Sequence, residues 1–367
     1  MSGSSFGNSF RITTFGESHG KGLGVIVDGC PAGLALSEED IQIYMDRRKP
    51  GQSRYTTKRM ESDCVEILSG VFEGRTTGTP ITLMVFNKDQ HSADYSEIAE
   101  YYRPGHADYN FDAKYGFRDY RGGGRSSGRE TLGRVAAGAI ACKLLGELGI
   151  TLSAYTISIG PVSIDRNAFD ASAIRRNPFY MPDMEAAGKA ASYLEECMKN
   201  GNSSGGIIEC VILGMPSGIG EPVFDKLDAN LAKAVFSIGA VKGFEIGDGF
   251  LAAQATGLSN NDGYLTDPDG TVKKAANHSG GITGGMSDGC DIVFRAAIKP
   301  TPSISAKQQT VNRKGENISI RIKGRHDPVV VPRAVVVVES MAALTLTDML
   351  FAGMPSKLEN VISFYTH

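Results

Sequence analysis

Tryptophan is absent from this chain of 367 residues, and neither sign of charge predominates, since 38 Lys and Arg stand against 41 Asp and Glu for a formal net charge of −3. Proteins that bind nucleic acid through bulk basicity carry a large positive excess, so we expect no nucleic-acid partner. Any anion site must therefore come from local clusters of arginine. Apolar residues make up 41% of the chain, which is enough for a sizeable core.

Paired cysteine spacings are also lacking. The six cysteines follow no Cys-x-x-Cys pattern and no repeated interval, and they are Cys30, Cys64, Cys142, Cys197, Cys210 and Cys290. Zinc sites and disulfide frameworks usually show such spacing, so buried free thiols are predicted. No grouping of histidines has the spacing of a metal site such as His-x3-His, and no metal is expected.

Long hydrophobic runs are missing too. The most apolar run, Val329–Val338, is interrupted by Pro332-Arg333 and is too short to span a bilayer. The first residues show neither the basic nor the apolar segment of a secretion signal. We therefore expect a cytoplasmic protein without a membrane partner.

Two nucleotide-binding motifs are absent or out of context. No P-loop sequence occurs. Gly247–Ala252 has the letters of a dinucleotide fingerprint, which needs a strand before it and a helix after it. Gly243 and Glu245 precede it and an apparent strand over Phe250–Ala255 follows it, so we reject this fingerprint.

Strand-like and helix-like segments alternate along the chain, without a low-complexity linker or an internal repeat. β-branched residues between turn signals predict strands over Gly24–Cys30, Cys64–Val71, Pro80–Asn87, Ser153–Gly160, Gly206–Gly214, Cys290–Lys299 and Val329–Val338. Helices are predicted from a capping-box sequence at Ser37, from Pro182 to Gly201, over Asp225–Phe236 and over 130–148. We expect a mixed α and β protein in which residues 1–367 form one domain.

The stretch Arg121–Arg134 is the strongest candidate for an anion site, because it combines four arginines with glycines and hydroxyls ahead of a predicted helix. Glycine allows close backbone approach, and a helix N-terminus presents unpaired N–H groups. Arginine forms bidentate hydrogen bonds with phosphate and carboxylate. Composition alone does not name the anion.

Three other sets of residues are candidates for chemistry. A lone loop histidine is most often simply solvated, as we expect for His91. His19 and His106 are better candidates for proton transfer, since glycine and a potential partner flank each of them. Arg48 and Arg54 flank a Pro-Gly turn and either bind a ligand or are solvated. The glycine-rich sequence 280–289, followed by residues 299–303, would wall a flat ring or form a structural loop.

Ten motifs occur in the order found in chorismate synthases, and they run from near residue 10 to about residue 345. They are Phe15-Gly-Glu-Ser-His19-Gly, Arg47-Arg-x-Pro-Gly-Gln52, Ser69-Gly-Val, Thr76-Thr-Gly-Thr-Pro-Ile81, Arg103-Pro-Gly-His106-Ala-Asp108, Arg121-Gly-Gly-Gly-Arg-Ser-Ser-Gly-Arg-Glu-Thr131, Ala240-Val-Lys-Gly-x-Glu-Ile-Gly247, Gly280-Gly-Ile-x-Gly-Gly285, Lys299-Pro-Thr301 and Gly324-Arg-His-Asp-Pro328. On these motifs the chain resembles the chorismate synthase family over essentially its whole length.

The resemblance implies a fold, a reaction and a cofactor. The family fold is of the α+β class, a β-α-β sandwich with helices between two antiparallel sheets, assembled as a homotetramer. The family converts 5-enolpyruvylshikimate 3-phosphate to chorismate by 1,4-anti-elimination of phosphate and a ring hydrogen. It depends on reduced FMN (FMNH2) without net redox change, and NADPH is a possible reductant of the flavin.

The same motifs assign residues to ligands. Substrate anions would be held by Arg48, Arg54, Arg103, Arg129 and Arg134, of which the first two are alternatively contacts of NADPH. The FMN would be lined by Arg125, Ser126, Ser127, Gly239, Ala240, Gly284, Lys299, Pro300, Thr301, Pro302, Ser303 and Arg325. Local arginine clusters in a nearly neutral protein suit a substrate with two carboxylates and a phosphate.

Proton-transfer roles are also implied by the resemblance. His19, beside Ser18, would act as a general acid toward the leaving phosphate. His106 would protonate the reduced flavin or its N1 edge. Asp327, with Ser127, would form a proton relay near flavin N5. The alternative function, a non-catalytic flavin- or phosphate-binding protein, predicts that such residues are missing, whereas His19, His106 and Asp327 are present.

Overall fold

The computed structural model describes residues 3–56, 63–87, 97–120, 123–322 and 327–366. The strands are β1 (Ser5–Phe6), β2 (Arg11–Gly16), β3 (Gly22–Asp28), β4 (Glu66–Ser69), β5 (Val71–Phe72), β6 (Arg75–Thr76), β7 (Ile81–Phe86), β8 (Thr151–Ile159), β9 (Val162–Ser163), β10 (Gly206–Leu213), β11 (Val241–Ile246), β12 (Tyr264–Thr266), β13 (Val272–Lys274), β14 (Ile282–Thr283), β15 (Met286–Ser287), β16 (Ile292–Ile298), β17 (Gln308–Val311) and β18 (Asn317–Ile320). The α-helices are α1 (Glu38–Arg48), α2 (Asp108–Tyr115), α3 (Thr131–Glu147), α4 (Met184–Lys199), α5 (Leu227–Phe236), α6 (Gly257–Asn260), α7 (Val331–Gly353) and α8 (Leu358–Tyr365).

Two antiparallel sheets of five strands form the outer layers, in the orders β1-β2-β3-β7-β4 and β11-β16-β10-β8-β9. Between them, α3 packs on β2, β3 and β7, while α7 packs on β8 and β10 and against α3. One cluster of buried side chains includes residues of both sheets, among them Val25 and Ile208. The predicted β-α-β sandwich is thus confirmed.

Most of the predicted elements are present, with ends shifted by a few residues. The capping box at Ser37 forms as its sequence predicts: Ser37 Oγ accepts from the backbone N–H of Asp40, and the Asp40 carboxylate accepts from the backbone N–H of Ser37. Helix α3 covers Thr131–Glu147 of the predicted 130–148. Its N-terminus therefore follows the glycine-rich stretch, as the anion-site prediction requires.

The strand prediction for Val329–Val338 is wrong, because these residues begin α7. Pro332 lies in the first turn, where the missing N–H has no helical partner to lose. The helix is buried on nearly all sides, so it has no polar face to reveal a helical period, and its valines mimic a strand. Val331–Ser356 is long and apolar enough to cross a membrane, but 83% of its most apolar window is buried inside the protein, as in a core helix.

The interpretation of the Gly247 region also needs correction. Strand β11 ends immediately before Gly247, and the predicted strand over Phe250–Ala255 is instead a 3₁₀ turn over Gly249–Gln254. β11 pairs only antiparallel with β16, whereas the dinucleotide motif belongs to a parallel strand-helix-strand unit. The rejection of the fingerprint therefore stands on the sheet topology.

All six cysteines are free thiols, as predicted. Cys30, Cys197 and Cys210 are buried, and Cys142 and Cys290 are partly buried. The prediction of burial is wrong for Cys64, which is exposed in the loop before β4.

Replacing Gly138 with alanine is expected to lower the free energy of unfolding by about 1–3 kcal/mol. The added Cβ would lie 2.7 Å from Ser340 Cα at the crossing of α3 and α7. Gly188→Ala in α4 is the control, because nothing lies within 4 Å of its added Cβ, and it should raise stability by about 0.5–1 kcal/mol. Urea unfolding measures both. Small and equal changes in the free energy of unfolding of the two variants would contradict the close contact between α3 and α7.

Candidate active site

A buried carboxylate joins the two arginine sets that the sequence singled out. Asp63 Oδ2 accepts from Arg48 Nη2 at 2.7 Å, and Asp63 Oδ1 accepts from Arg129 Nη1 at 2.9 Å. The side chains of Arg48 and Asp63 are 1% and 0% exposed. Burial raises the pKa of Asp63, but the charges of the two arginines outweigh it and hold the pKa below its usual value. Burial lowers the pKa of Arg48 to about 10, which keeps it charged at pH 7.

A second ion pair extends this group. Arg333, in the first turn of α7, donates from Nη1 to Asp327 Oδ2 at 2.7 Å and from Nε to the backbone carbonyl of Arg48 at 3.1 Å. Arg48 is the last residue of α1, where the carbonyls carry partial negative charge. We call Arg48, Arg129, Arg333, Asp63 and Asp327 the arginine cluster. Its three guanidiniums exceed its two carboxylates by one positive charge, which suits an anion.

His19 lies in the turn between β2 and β3, close to its predicted partner. Ser18 Oγ is 3.1 Å from His19 Nδ1. The side-chain amide of Asn87, just after β7, donates to backbone carbonyls of this turn, and its Oδ1 accepts from Arg129 Nε at 2.8 Å. The turn that carries His19 is therefore tied to the arginine cluster through Asn87.

The glycine-rich stretch enters α3 through two 3₁₀ turns, Gly124–Ser126 and Gly128–Glu130. Ser127 lies between them, and its Oγ caps the second turn by accepting from the backbone N–H of Arg129 at 3.2 Å. Arg121 lies outside the described residues. The hydroxyl of Ser127 is therefore next to the residue whose guanidinium enters the arginine cluster.

The guanidiniums of Arg125 and Arg134 are engaged within the protein. Arg125 donates to the carbonyls of Thr14 and Gly16 and to Thr14 Oγ1, at 3.2, 3.1 and 2.6 Å. Arg134 Nε donates to Glu130 Oε2 at 2.8 Å, and its Nη1 donates to Ser237 Oγ at 2.5 Å. Arg125 thus anchors the stretch on β2.

A second group surrounds His106. Asp108 accepts from Arg103 Nε at 2.8 Å and from Arg103 Nη2 at 2.7 Å. His106 Nδ1 is 3.1 Å from the carbonyl of Pro104, which can only accept, so Nδ1 carries the hydrogen and Nε2 accepts from Ser303 Oγ at 2.9 Å. Burial, reinforced by the charge of Arg103, lowers the pKa of His106 to about 4. The imidazole is therefore neutral at pH 7.

The stability of the flavin-free protein should fall as the pH drops from about 6.5 toward 4. His106 has a lower pKa folded than unfolded, so its contribution is complete above pH 6.5 and is lost as the pH falls through about 4. We expect about 1–3 kcal/mol from this source. In His106→Gln, the free energy of unfolding measured with urea should change less with pH in this window. An unchanged dependence on pH would contradict the lowered pKa of His106. The pKa of Asp108 lies below its usual value, because hydrogen bonds and charge from Arg103 outweigh the effect of burial. Its contribution to the pH dependence of stability therefore falls at lower pH than that of His106.

Several residues assigned to the flavin lie beside His106. Lys299 Nζ donates to the carbonyl of Gly105 at 2.9 Å, and the backbone N–H of Lys299 donates to the carbonyl of Ala240 at 2.9 Å. The buried Oγ1 of Thr301 has no hydrogen-bond partner among the described residues. A Cβ added at Gly239 would meet nothing within 4 Å. The group therefore offers an unpaired polar atom and open space beside the backbone.

Hydrogen bonds connect the His106 group with the arginine cluster. Ser203 Oγ donates to the carbonyl of Thr301 at 2.7 Å. The backbone N–H of the next residue, Ser204, donates to the carbonyl of Pro328 at 2.8 Å, directly after Asp327. These two bonds, joined by the backbone between Ser203 and Ser204 and between Asp327 and Pro328, link the His106 group and the arginine cluster into one network.

Gly284 lies apart from this network. It occupies the turn between β14 and β15, and the neighbouring Gly285 accepts from the backbone N–H of Leu227 at the start of α5. Gly239 follows the other end of α5, and a helix of ten residues is about 15 Å long. Gly284 is therefore about one helix length from Gly239.

The remaining assigned residues are exposed or not described. The side chain of Arg54 is 70% exposed and pairs with Glu195. Arg325 and His91 lie outside the described residues. Among the side chains that the structure does describe, no group of three or more His, Cys, Asp or Glu is placed to hold a metal ion.

Comparison with known proteins identifies the family. The family model for chorismate synthase matches residues 10–351. The chain belongs to the chorismate synthase family. The chorismate synthase of Agathobacter rectalis is 67% identical over 100% of this chain and 99% of its own length, and that of Methylorubrum populi is 57% identical over 95% and 96%. A crystal structure of chorismate synthase superposes with a TM-score of 0.77 at 32% identity, covering 98% of this chain and 97% of that one.

Family membership confirms the resemblance that the ten motifs carry. The chain is a chorismate synthase-type lyase of the last step of the shikimate pathway, which forms chorismate in aromatic amino-acid biosynthesis. The family needs reduced flavin. Sequence reasoning missed Asp63, Asn87 and Arg333, three residues that hold the network together.

Proposed function

We propose that the arginine cluster binds anionic groups of 5-enolpyruvylshikimate 3-phosphate and that His19 protonates the departing phosphate. The observation that carries this proposal is the excess of one positive charge among the described side chains of the arginine cluster, which Asn87 links by hydrogen bonds to the turn of His19. Elimination breaks the carbon-oxygen bond to phosphate and a ring carbon-hydrogen bond, and charge accumulates on the leaving oxygen. Preorganised guanidiniums stabilise that charge, and a nearby acid neutralises it.

Arg103 and Arg134 are proposed as further contacts of substrate anions. Each is oriented by an internal carboxylate, Asp108 and Glu130 respectively. Asp108 accepts from Nε and Nη2 of Arg103, and Nη1 is the atom proposed to meet the substrate. A guanidinium has five N–H donors, so pairing with one carboxylate still allows ligand binding.

We propose that the flavin binds beside His106. Thr301 Oγ1 would donate to or accept from the flavin, and the open backbone at Gly239 and Ala240 would let a flat ring approach closely. Arg125, Ser126, residues 299–303 and Arg325 would complete the lining. Reduced FMN, when bound, supplies electron density that favours loss of the phosphate and an acceptor for the ring proton.

His106, Asp327 and Ser127 are proposed to manage protons around the flavin. A neutral His106 with a pKa of about 4 becomes a proton donor only when a bound anion raises that pKa. Asp327 Oδ2 accepts from Arg333 Nη1 at 2.7 Å, which would fix the position of the carboxylate for the proton relay. Ser127 Oγ lies beside Arg129 and would relay a proton. Ser18 Oγ, 3.1 Å from His19 Nδ1, would orient the imidazole for proton donation from Nε2.

Arg48 and Arg54 have contrasting environments that favour different ligands. Arg48 is buried within the arginine cluster, and we assign it to the substrate. Arg54 is exposed and paired with Glu195, where a surface pair contributes little and is readily exchanged. Arg54 is therefore proposed as a contact of NADPH when that reductant is used.

One assay tests the proposed function. Anaerobic enzyme with chemically reduced FMN and 5-enolpyruvylshikimate 3-phosphate should release phosphate and chorismate in equal amounts. Absence of both products under these conditions would refute it. Repeating the assay with oxidised FMN and NADPH tests whether the chain reduces its own flavin.

The chain is also proposed to be cytoplasmic and to assemble as a homotetramer. Large apolar side chains are exposed, including Phe224 at 91%, Phe250 at 76% and Leu258 at 95%, and subunit contacts would cover them. Sedimentation velocity at micromolar concentration checks the assembly, and a monomer there would contradict it.

A further inference from the structure

Asn87 lies where two parts of the proposed site meet. Its side-chain Oδ1 accepts from Arg129 Nε at 2.8 Å. Its Nδ2 lies 2.8 Å from the carbonyl of Gly20, 3.1 Å from that of Glu17 and 3.4 Å from that of Ser18. One side chain thus contacts an arginine of the cluster and both sides of the turn that carries His19.

The chemistry of its neighbours fixes the orientation of this amide. The Arg129 guanidinium can only donate, and the turn carbonyls can only accept. The amide oxygen must therefore face Arg129 and the amide nitrogen must face the turn. A carboxylate of the same shape would keep the contact with Arg129 but place an oxygen against the carbonyl oxygens.

We propose that Asn87 is a positioning residue that holds the turn carrying His19 at a fixed position relative to Arg129. The inference rests on the proposed function of these two residues. A substrate anion bound at Arg129 then has a fixed position relative to the imidazole, although Asn87 itself need not touch the substrate. Displacement of a reacting group by about 1 Å can cost about 100-fold in rate.

A second asparagine provides a matched control. Asn177 Nδ2 donates to the carbonyls of Ala173 and Met181 at 2.8 Å each, and its Oδ1 accepts from the backbone N–H groups of Phe179 and Met181. It therefore ties a loop through hydrogen bonds from both the oxygen and the nitrogen of its side-chain amide, as Asn87 does. Its loop contains none of the residues assigned to the site, so Asn177→Ala removes comparable bonding away from it.

The first experiment compares variants in the anaerobic assay with chemically reduced FMN. Asn87→Ala should lower kcat about 100-fold, while Asn177→Ala should keep kcat within about threefold. Asn87→Asp should separate the two contacts: it keeps the partner of Arg129, so KM for the substrate stays within about threefold, whereas kcat falls at least about tenfold because the turn is released. Equal kcat losses at Asn87 and Asn177, or a change in KM alone, would overturn the proposal.

The second experiment is a double-mutant cycle with His19→Ala. If Asn87 acts through His19, Asn87→Ala should cost less than about threefold in kcat once His19 is gone. A full 100-fold loss in both backgrounds would overturn the coupling. If His19→Ala keeps kcat within about tenfold, the proposed role of His19 fails, and this inference fails with it. If His19→Ala is impaired but Asn87→Ala and Asn87→Asp are not, the inference alone fails.

Discussion

Replacing His19 with alanine is expected to lower kcat by about 10²–10⁴-fold. Ser18 Oγ lies 3.1 Å from His19 Nδ1, and in the proposed mechanism Nε2 of the imidazole donates a proton to the departing phosphate. Without that donor the phosphate must leave with its full negative charge, stabilised only by the guanidiniums. Single-turnover release of phosphate, measured anaerobically with chemically reduced FMN, checks the loss directly.

Two controls separate loss of chemistry from loss of structure in His19→Ala. Binding of oxidised FMN should be unchanged within about twofold, because the proposed flavin contacts lie beside His106. His278→Ala removes another loop histidine, one whose Nδ1 is 2.7 Å from Asp248 Oδ2, and should keep kcat within about threefold. Losses below tenfold for both His19→Ala and His106→Ala would refute the assignment of proton donors.

Helices and strands are predictable from the sequence where they have a capping sequence at the start or a clear hydrophobic period. Ser37 and Asp40 form their capping box because both partners are three residues apart and need no tertiary contact. In residues 130–148 the larger apolar side chains recur at helical spacing among small residues, and Leu132, Val135, Ile140 and Leu144 are buried in α3. The same reasoning gives the wrong result for α7. This helix is buried on nearly every side, so its hydrophobic residues show no helical period, and its valines favour a strand locally.

The residues of the candidate site can be predicted only where their sequence neighbours form a recognisable pattern. His19 and His106 are marked by glycine and polar neighbours in loops, so the sequence indicates them. Asp63 and Asn87 are linked to partners 66 and 42 residues away, and no local pattern reports such contacts. Arg333 was hidden by the incorrect strand prediction. The residues that hold the site together are therefore harder to predict than those that react.

Internal carboxylates hold the arginines in place before a ligand binds. Asp63 holds Arg48 and Arg129, and Asp108 holds Arg103. A guanidinium fixed in this way loses little side-chain entropy when it meets an anion, and its field is already directed at the ligand. The nearly neutral net charge of the chain agrees with this arrangement, because the carboxylates of the arginine cluster offset two of its three positive charges.

Asp63 gives the largest expected change in stability. Asp63→Asn would remove the carboxylate charge that Arg48 and Arg129 share among the described residues, and Arg48 is buried with 1% of its side chain exposed. Removing one partner of a buried ion pair typically costs about 3–5 kcal/mol, because the remaining charge stays uncompensated. Urea unfolding at pH 7 in a buffer without phosphate or sulfate measures this loss.

Inorganic phosphate should partly rescue Asp63→Asn, and this rescue distinguishes an anion site from a structural ion pair. An anion that binds the native cluster stabilises it by mass action, and the variant, with two positive charges more than its remaining carboxylate, should gain more from phosphate than the unaltered protein does. Asp28→Asn is the control, since Asp28 pairs with Arg11 at the surface and should change stability by less than about 1 kcal/mol, with or without phosphate. A small loss of stability in Asp63→Asn would show that the cluster does not depend on Asp63. Equal effects of phosphate on all three proteins would show that the cluster does not attract anions.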